Sequence, residues 1–366
     1  MKKSKISEVH YLAELSFPSK SAYSIHVMKI CNEFSKKKFK TKLYILNKKK
    51  KSNFFDDYNC KKKFEILSLN IKRNNFFGRV FFSYKVLKLI KPKKKYLIIS
   101  RSVLAAILLN IFKKKVILEL HHELTGFTKY FFLFYKNFLS FRNLKIIYIT
   151  KNLKKYYKLD KNKDIILDDG VDIGNFNFKK KIKTFKNTCA YTGSFAKGKG
   201  IENIINISKY NQNIFFHLYG DFANSNFSKN SFKRFKNIKY KGYIKYKNIP
   251  KVLSKYNILL LPYSDKVYVR SKSIETSNYM SPLKLFDYMA SKNIIVASKM
   301  NVYKHILNKK NSILIDSNSP SEWADKLENI LKSLDQYKVL RNNAYESVKK
   351  YTWKKRVNKI IKFDNV

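Results

Sequence analysis

Residues Thr188–Ile205 read TCAYTGSFAKGKGIENII. A short apolar run, Thr188–Thr192, gives way to a turn at Gly193 and then to a helical pattern that starts near Lys199. Strand, glycine turn and helix in this order form the repeating step of an α/β protein with parallel strands. The same step recurs downstream. Strands are expected at Ile214–Tyr219, Ile258–Pro262, Ile294–Ala297 and Ser312–Ile315, with helices starting near Asn248, Ser281 and Pro320. Upstream, strands are expected at Ser7–Glu14, Lys42–Leu46, Tyr96–Ser100, Val116–Leu120, Lys145–Ile149 and Asp164–Leu167. The clearest helix there is Ser24–Phe34, whose Ile25, Met28, Ile30, Cys31 and Phe34 form a rough apolar face. Between the two series lies a lysine-rich stretch, NFKKKIKTFKN. The expected organisation is therefore a first Rossmann-like domain over 1–176, a linker over 177–187, a second such domain over 188–350, and a basic amphipathic helix within 351–366 that returns to the first domain.

The length of 366 residues suits two domains, and 45% hydrophobic residues are enough for each to bury a core. The formal net charge of +53 raises the question of a nucleic-acid partner. Lysine supplies nearly all of it, and Asn, Ile, Phe and Tyr are inflated as well, a pattern that A/T-rich codons produce without selection on the protein. No nucleic-acid-binding module is recognisable. Such a basic surface is nevertheless drawn to anionic lipid or polyphosphate at low salt, and aromatic residues in Phe127–Phe141 (FTKYFFLFYKNFLSF) are candidates to meet a membrane. The three cysteines, Cys31, Cys60 and Cys189, are far apart and not at metal-ligand spacing. The N-terminus lacks the apolar run of a signal peptide. The expected location is the cytoplasm, with peripheral contact at the inner face of the membrane.

Four segments carry candidate chemistry. The first βα turn, SFPSKSAYS (Ser16–Ser24), has no glycine, which argues against NAD binding. Two readings of its Ser21 and Ala22 stand: an ordinary turn, or a helix opening whose backbone N–H groups meet an anion. In YTGSFAKGKGIE (Tyr191–Glu202), Gly193 and Ser194 make the turn. Lys199 lies where a helix dipole disfavours a cation, a placement that makes sense with an anion nearby. In SPLKLFDYMA (Ser281–Ala290), Ser281 is expected to cap the helix and Pro282 to be its first residue, so that the N–H groups through Leu283 are offered to an anion. Asp287, further along, reads either as a solvated carboxylate or as a ribose acceptor. In ELHHE (Glu119–Glu123), two histidines and two glutamates crowd the end of a strand. The spacing is not that of a metalloprotease and no third ligand stands out, so no metal is assigned. A D-x-D pair, which many sugar-nucleotide enzymes use to hold a divalent ion, is absent.

Taken together, these segments resemble family 4 glycosyltransferases of the GT-B fold, especially the bacterial enzymes of surface polysaccharide synthesis such as lipopolysaccharide and capsule. The similarity runs in order through FPSKSAYSIHVMKI, ISRS, VILELHHE, DDGVDIGNF, YTGSFAKGKGIENII, LLLPY, SPLKLFDYMA with IIVAS, and YTWKKR. It implies two Rossmann-like domains facing a central cleft, and a retaining, metal-independent transfer of a hexose from a nucleotide-diphosphate sugar to a glycan or lipid-linked acceptor. No cofactor and no nucleic-acid partner are implied. His121 matches the family's histidine beside the donor sugar, Lys199 the lysine on the donor phosphates, Ser281–Leu283 the helix start facing the diphosphate, and Asp287 the second of two glutamates spaced eight apart, the one that binds ribose. The first glutamate would fall at Tyr279, and an arginine common in the family is here Ser194. The other classes compatible with these features are a sugar-nucleotide epimerase or other GT-B relative, and a basic nucleic-acid-binding protein.

Overall fold

The computed structural model describes residues 6–49, 54–72, 75–91, 96–138, 144–157, 163–177, 183–223, 225–269 and 274–365. The chain divides into two compact units, 1–168 with 353–366, and 169–352. In the first unit, β1 (Glu8–Phe17), α1 (Ala22–Lys36), β2 (Lys40–Lys48), α2 (Phe54–Asp57), β3 (Glu65–Ser68), α3 (Phe76–Leu89) and β4 (Tyr96–Ser100) are followed by α4 (Val103–Ile111), β5 (Val116–Leu120), α5 (Gly126–Phe138), β6 (Leu144–Tyr148), α6 (Lys151–Tyr157) and β7 (Asp164–Ile166). These strands make a seven-stranded sheet in the order β3-β2-β1-β4-β5-β6-β7, every pair parallel.

The second unit runs β8 (Thr188–Thr192), α7 (Ile201–Tyr210), β9 (Phe215–Tyr219), β10 (Ile238–Gly242), α8 (Ile249–Leu253), β11 (Ile258–Leu261), the short pair β12 (Tyr268–Val269) and β13 (Ile274–Glu275), α9 (Leu283–Ala290), β14 (Ile294–Ser298), β15 (Ile313–Ile315), α10 (Pro320–Lys332) and α11 (Lys338–Val348). Six strands pair in parallel in the order β10-β9-β8-β11-β14-β15. Strands β8, β11 and β14 are buried along their whole length. Helices cover both faces of such a sheet, which is why these strands read as continuous apolar runs.

Two strands of the parallel sheets escape a reading of apolar runs, and both are edges. β3 is four residues long and largely half-buried, while β10 (IKYKG) alternates buried and exposed residues with lysines on the outer face. The passage between units falls at Asp168–Asp169, before the expected boundary at 176. Val171 explains this: it is buried in the core of the second unit, and its N–H donates to the Tyr351 carbonyl at 3.0 Å. Residues 178–182 of the expected linker lie outside the described residues. Among the described residues, no helix is long and apolar enough to cross a membrane.

The last helix, α12 (Trp353–Asp364), belongs to the first unit. Its C-terminal carbonyls are met by cations, as the helix dipole favours. Lys145 Nζ donates to the Phe363 carbonyl at 2.6 Å, and Lys115 donates to the Asp364 carbonyl. Near its start, Arg356 is buried and donates through one nitrogen to the carbonyls of Leu167 and Asp168, and through the other to Glu119 Oε1 at 2.6 Å. Removing one partner of a buried pair strands the other charge, at a cost of about 3–5 kcal/mol. Arg356→Met is therefore expected to lower the unfolding free energy by about that amount in urea titration at pH 7. Burial works to raise the Glu119 pKa, and His26 and Arg356 outweigh it and hold the carboxyl well below its usual range. The stability Glu119 contributes is thus complete above the pKa of an unfolded glutamate, about 4.3, and is lost as pH falls towards the depressed folded value. The deficit of Arg356→Met is expected to shrink in parallel titrations below pH 4, and a deficit independent of pH would contradict this assignment.

Candidate functional site

In an open parallel sheet, ligands lie beyond the carboxyl ends of the strands where the strand order reverses. In the second unit that point falls between β8 and β11. Gly193 and Ser194 follow β8, and Pro262 and Tyr263 follow β11. Gly193 has φ +141°, and a side chain there would press on Lys284, with Cβ 3.1 Å from Nζ. At Gly200, the N-cap of α7 at φ +97°, a Cβ would fall 2.3 Å from the Pro262 carbonyl oxygen. Glycine at these two positions is what lets the loop after β8 close onto the end of β11.

Two lysines share this place. Lys199, in the turn before α7, holds Nζ 5.2 Å from the ring centre of Tyr263. Lys284, in the first turn of α9, holds Nζ 4.8 Å from the same ring and 3.6 Å from that of Tyr191. The Tyr191 hydroxyl donates to the Ser194 carbonyl at 2.8 Å, so one tyrosine supports both the loop and the cation. Lys284 Nζ is shut off from solvent and has no hydrogen-bond partner among the described residues. Neither lysine has a carboxylate partner among those residues. Burial lowers the Lys199 pKa to about 8. Burial, and then the field of Lys199, lowers that of Lys284 well below the ordinary lysine value.

The start of α9 corrects an expectation. Ser281 does not cap the helix and Pro282 is not its first residue. Pro282 occupies the N-cap position with extended backbone, the helix begins at Leu283, and no side chain caps it. The Ser281 hydroxyl instead accepts from the Asp169 N–H at 3.3 Å. Asp287 is not solvated: it is 5% exposed and accepts from the Tyr246 hydroxyl at 3.2 Å. The Tyr288 hydroxyl accepts from the Thr192 N–H at 2.9 Å, fixing α9 against the end of β8 and hence Lys284 against Gly193.

The remaining candidates lie in the first unit. Ser21 caps α1, its hydroxyl oxygen accepting from the Ser24 N–H, and both Ser21 and Ala22 are exposed. One turn further on, α1 carries His26, whose ring stacks edge-on against His121 at 4.7 Å. His26, Glu119 and His121 bring their ligand-type atoms within 4.8 Å of one another. His26 is the third group that ELHHE lacked, and it lies 93 positions from Glu119 in sequence. A divalent ion fits this cluster poorly. Glu119 already accepts from Tyr11, from His26 at 3.3 Å and from Arg356 at 2.6 Å, so its charge is matched. The His121 pKa is well below the ordinary value because of burial, reinforced by Arg101 and His26. Its ring is therefore neutral at pH 7, and its buried Nε2 has no hydrogen-bond partner among the described residues.

Residues 172–347 match the family model of the glycosyl transferases group 1. That segment fills nearly all of the second unit. No curated protein matches the chain by sequence. Among solved structures, a glycosyltransferase from Rickettsia africae aligns with a TM-score of 0.77 at 12% identity, covering 98% of this chain and 98% of its own. Anabaena HepE in complex with UDP and glucose aligns at 0.71 and 11% identity, covering 97% and 98%. WaaG, a glycosyltransferase involved in lipopolysaccharide biosynthesis, aligns at 0.66 and 14%, covering 96% and 98%. At these identities the likeness establishes the fold, GT-B, over both units.

The lysine pair has a consequence for pH. With its pKa lowered to about 8, Lys199 loses its charge as pH rises through that value. Affinity for inorganic pyrophosphate is expected to fall as pH rises from 7 to 9.5, although pyrophosphate itself gains negative charge over that range. Isothermal titration in matched-ionic-strength buffers measures it. Affinity that holds steady or rises would separate anion binding from these lysines.

Proposed function

We propose that the chain is a retaining, metal-independent glycosyltransferase that takes a hexose from a nucleotide-diphosphate sugar and passes it to a glycan or lipid-linked acceptor in cell-surface polysaccharide synthesis. The observation that carries this reading is the pair of lysines without carboxylate partners, Lys199 and Lys284, at the reversal point of the sheet in the segment that matches the glycosyl transferases group 1. Transfer leaves a nucleoside diphosphate, on which negative charge grows as the glycosidic bond breaks. Fixed cations stabilise that charge without reorganising. The α9 N-terminus adds the positive end of a helix dipole at the same place. His121, neutral and with its Nε2 unpaired, is in the form that hydrogen-bonds a sugar hydroxyl rather than a phosphate. Retention and the ribose role of Asp287 follow the family resemblance.

The first unit also presents a surface suited to a lipid-linked acceptor. Along α3, Phe77, Phe81 and Tyr84 are exposed, and along α5, Phe127, Tyr130 and Phe134 are exposed. The rings of Phe76 and Phe127 meet at 5.0 Å, joining the two rows. Lys85 and Lys88 lie over Phe81 and Tyr84. Other aromatics of the Phe127–Phe141 segment, Phe132 and Tyr135, are buried, and residues 139–141 lie outside the described residues. Rows of exposed rings with lysines among them suit the interface of an anionic membrane, where each basic residue contributes roughly 1 kcal/mol at low salt.

Three outcomes are expected. Incubation with UDP-, GDP- or dTDP-sugars and an acceptor releases nucleoside diphosphate with a new glycoside, and excess EDTA leaves the rate unchanged. An epimerised nucleotide sugar as sole product would overturn the transferase reading, and loss in EDTA restored by Mg²⁺ would overturn metal independence. In the same assay, Lys199→Ala lowers kcat/KM about 10- to 100-fold, from a charge-assisted contact of roughly 1.5–3 kcal/mol, while Lys197→Ala, exposed in the same loop, has little effect. Finally, the protein floats with phosphatidylglycerol vesicles at low salt, and a variant with Phe77→Ser and Tyr130→Ser, at positions 78% and 71% exposed, does not. Equal flotation with neutral vesicles would contradict the electrostatic part.

A further inference from the structure

We infer that Lys284 is a second phosphate-recognising residue, and that it makes the site select two linked phosphates over one. The inference rests on the proposed donor site and deepens it. Four observations converge on Lys284. Its ammonium lies at the reversal point of the sheet, against the backbone of Gly193, where a Cβ would come within 3.1 Å of Nζ. It is shut off from water with no hydrogen-bond partner among the described residues. It shares the Tyr263 ring with Lys199, the rings lying 4.8 and 5.2 Å from the two nitrogens. And Glu202, the acidic residue of the adjoining helix, pairs with neither lysine.

A lysine needs three acceptors, and among the described residues Lys284 has in their place the rings of Tyr191, at 3.6 Å, and Tyr263, at 4.8 Å. Cation–π attraction offsets part of the lost hydration. It does not remove the repulsion from Lys199, which helps to keep the Lys284 pKa down. Two ammonium groups at this place repel each other, and what relieves the repulsion is an anion with charge enough for two cations. A single phosphate satisfies one ammonium and leaves the other stranded. A diphosphate places one phosphate against each. The same arrangement gives Lys284 opposite effects on stability and on binding, which a purely structural cation–π contact does not.

Replacement by methionine tests this, because it keeps the stem packed between Tyr191 and Tyr263 and removes only the charge. In the absence of ligand, Lys284→Met is expected to raise Tm by about 2–4 °C. In isothermal titration it weakens UDP about 10- to 100-fold and UMP less than about threefold, and pyrophosphate follows UDP. Lys284→Arg keeps most of the UDP affinity. The inference is overturned if Lys284→Met binds UDP as the wild type does, if UDP and UMP weaken in equal proportion, or if the unliganded variant melts lower. The donor site itself is judged on the wild type. Wild-type protein that binds neither UDP, GDP nor pyrophosphate removes the proposed site and this inference with it, whereas wild-type binding with an unaffected Lys284→Met removes the inference alone.

Discussion

Two lysines beside one tyrosine ring, Lys199 half-buried and Lys284 with its Nζ shut off from solvent, have no carboxylate partner among the described residues, and this is the constraint on which the second unit is organised. Charge taken out of water is costly unless a partner is supplied. The fold nevertheless holds Lys199 and Lys284 on either side of Tyr263 and fixes them by backbone geometry that only glycine meets at Gly193 and Gly200. It also anchors α9 to β8 through Tyr288. Such an arrangement persists when a ligand carries the missing charge. Position, the enclosure of Lys284 Nζ and the lack of partners among the described residues converge on an anion.

The first unit handles buried charge in the opposite way. Glu119 is buried, and Tyr11, His26 and Arg356 satisfy it. Arg356 then extends to the carbonyls of Leu167 and Asp168, joining α12 to the end of the first sheet. The carboxylate at the centre of this cluster is satisfied, while His121 Nε2 and Arg356 Nε have no hydrogen-bond partner among the described residues. One unit thus keeps a neutral hydrogen-bonding group available, and the other keeps positive charge available.

Much of the architecture was legible in the sequence. The fully buried parallel strands β8, β11 and β14 are short apolar runs, and few other structures produce such runs between helical patterns. The edge strands β3 and β10 were not legible, because an edge is half solvated and its lysines erase the signal. Among site residues, Lys199 stood out by its place before a helix. Lys284 did not, since lysine is so abundant in this chain that one more on an amphipathic helix carries no information; only its enclosure distinguishes it. Ser281 misled because Ser-Pro is a strong helix-start pattern, and the tertiary bond from Asp169 claimed the hydroxyl that capping would have used. His26 joined Glu119 and His121 through the packing of α1 on the sheet, a relation that sequence spacing does not encode.

The most direct measurement is a crystal structure of the protein grown with UDP. The account predicts that the diphosphate lies between β8 and α9 with both Lys199 Nζ and Lys284 Nζ within hydrogen-bonding distance, about 2.7–3.2 Å. A diphosphate bound elsewhere, or held by a metal ion while the two lysines stay against Tyr191 and Tyr263, would contradict it.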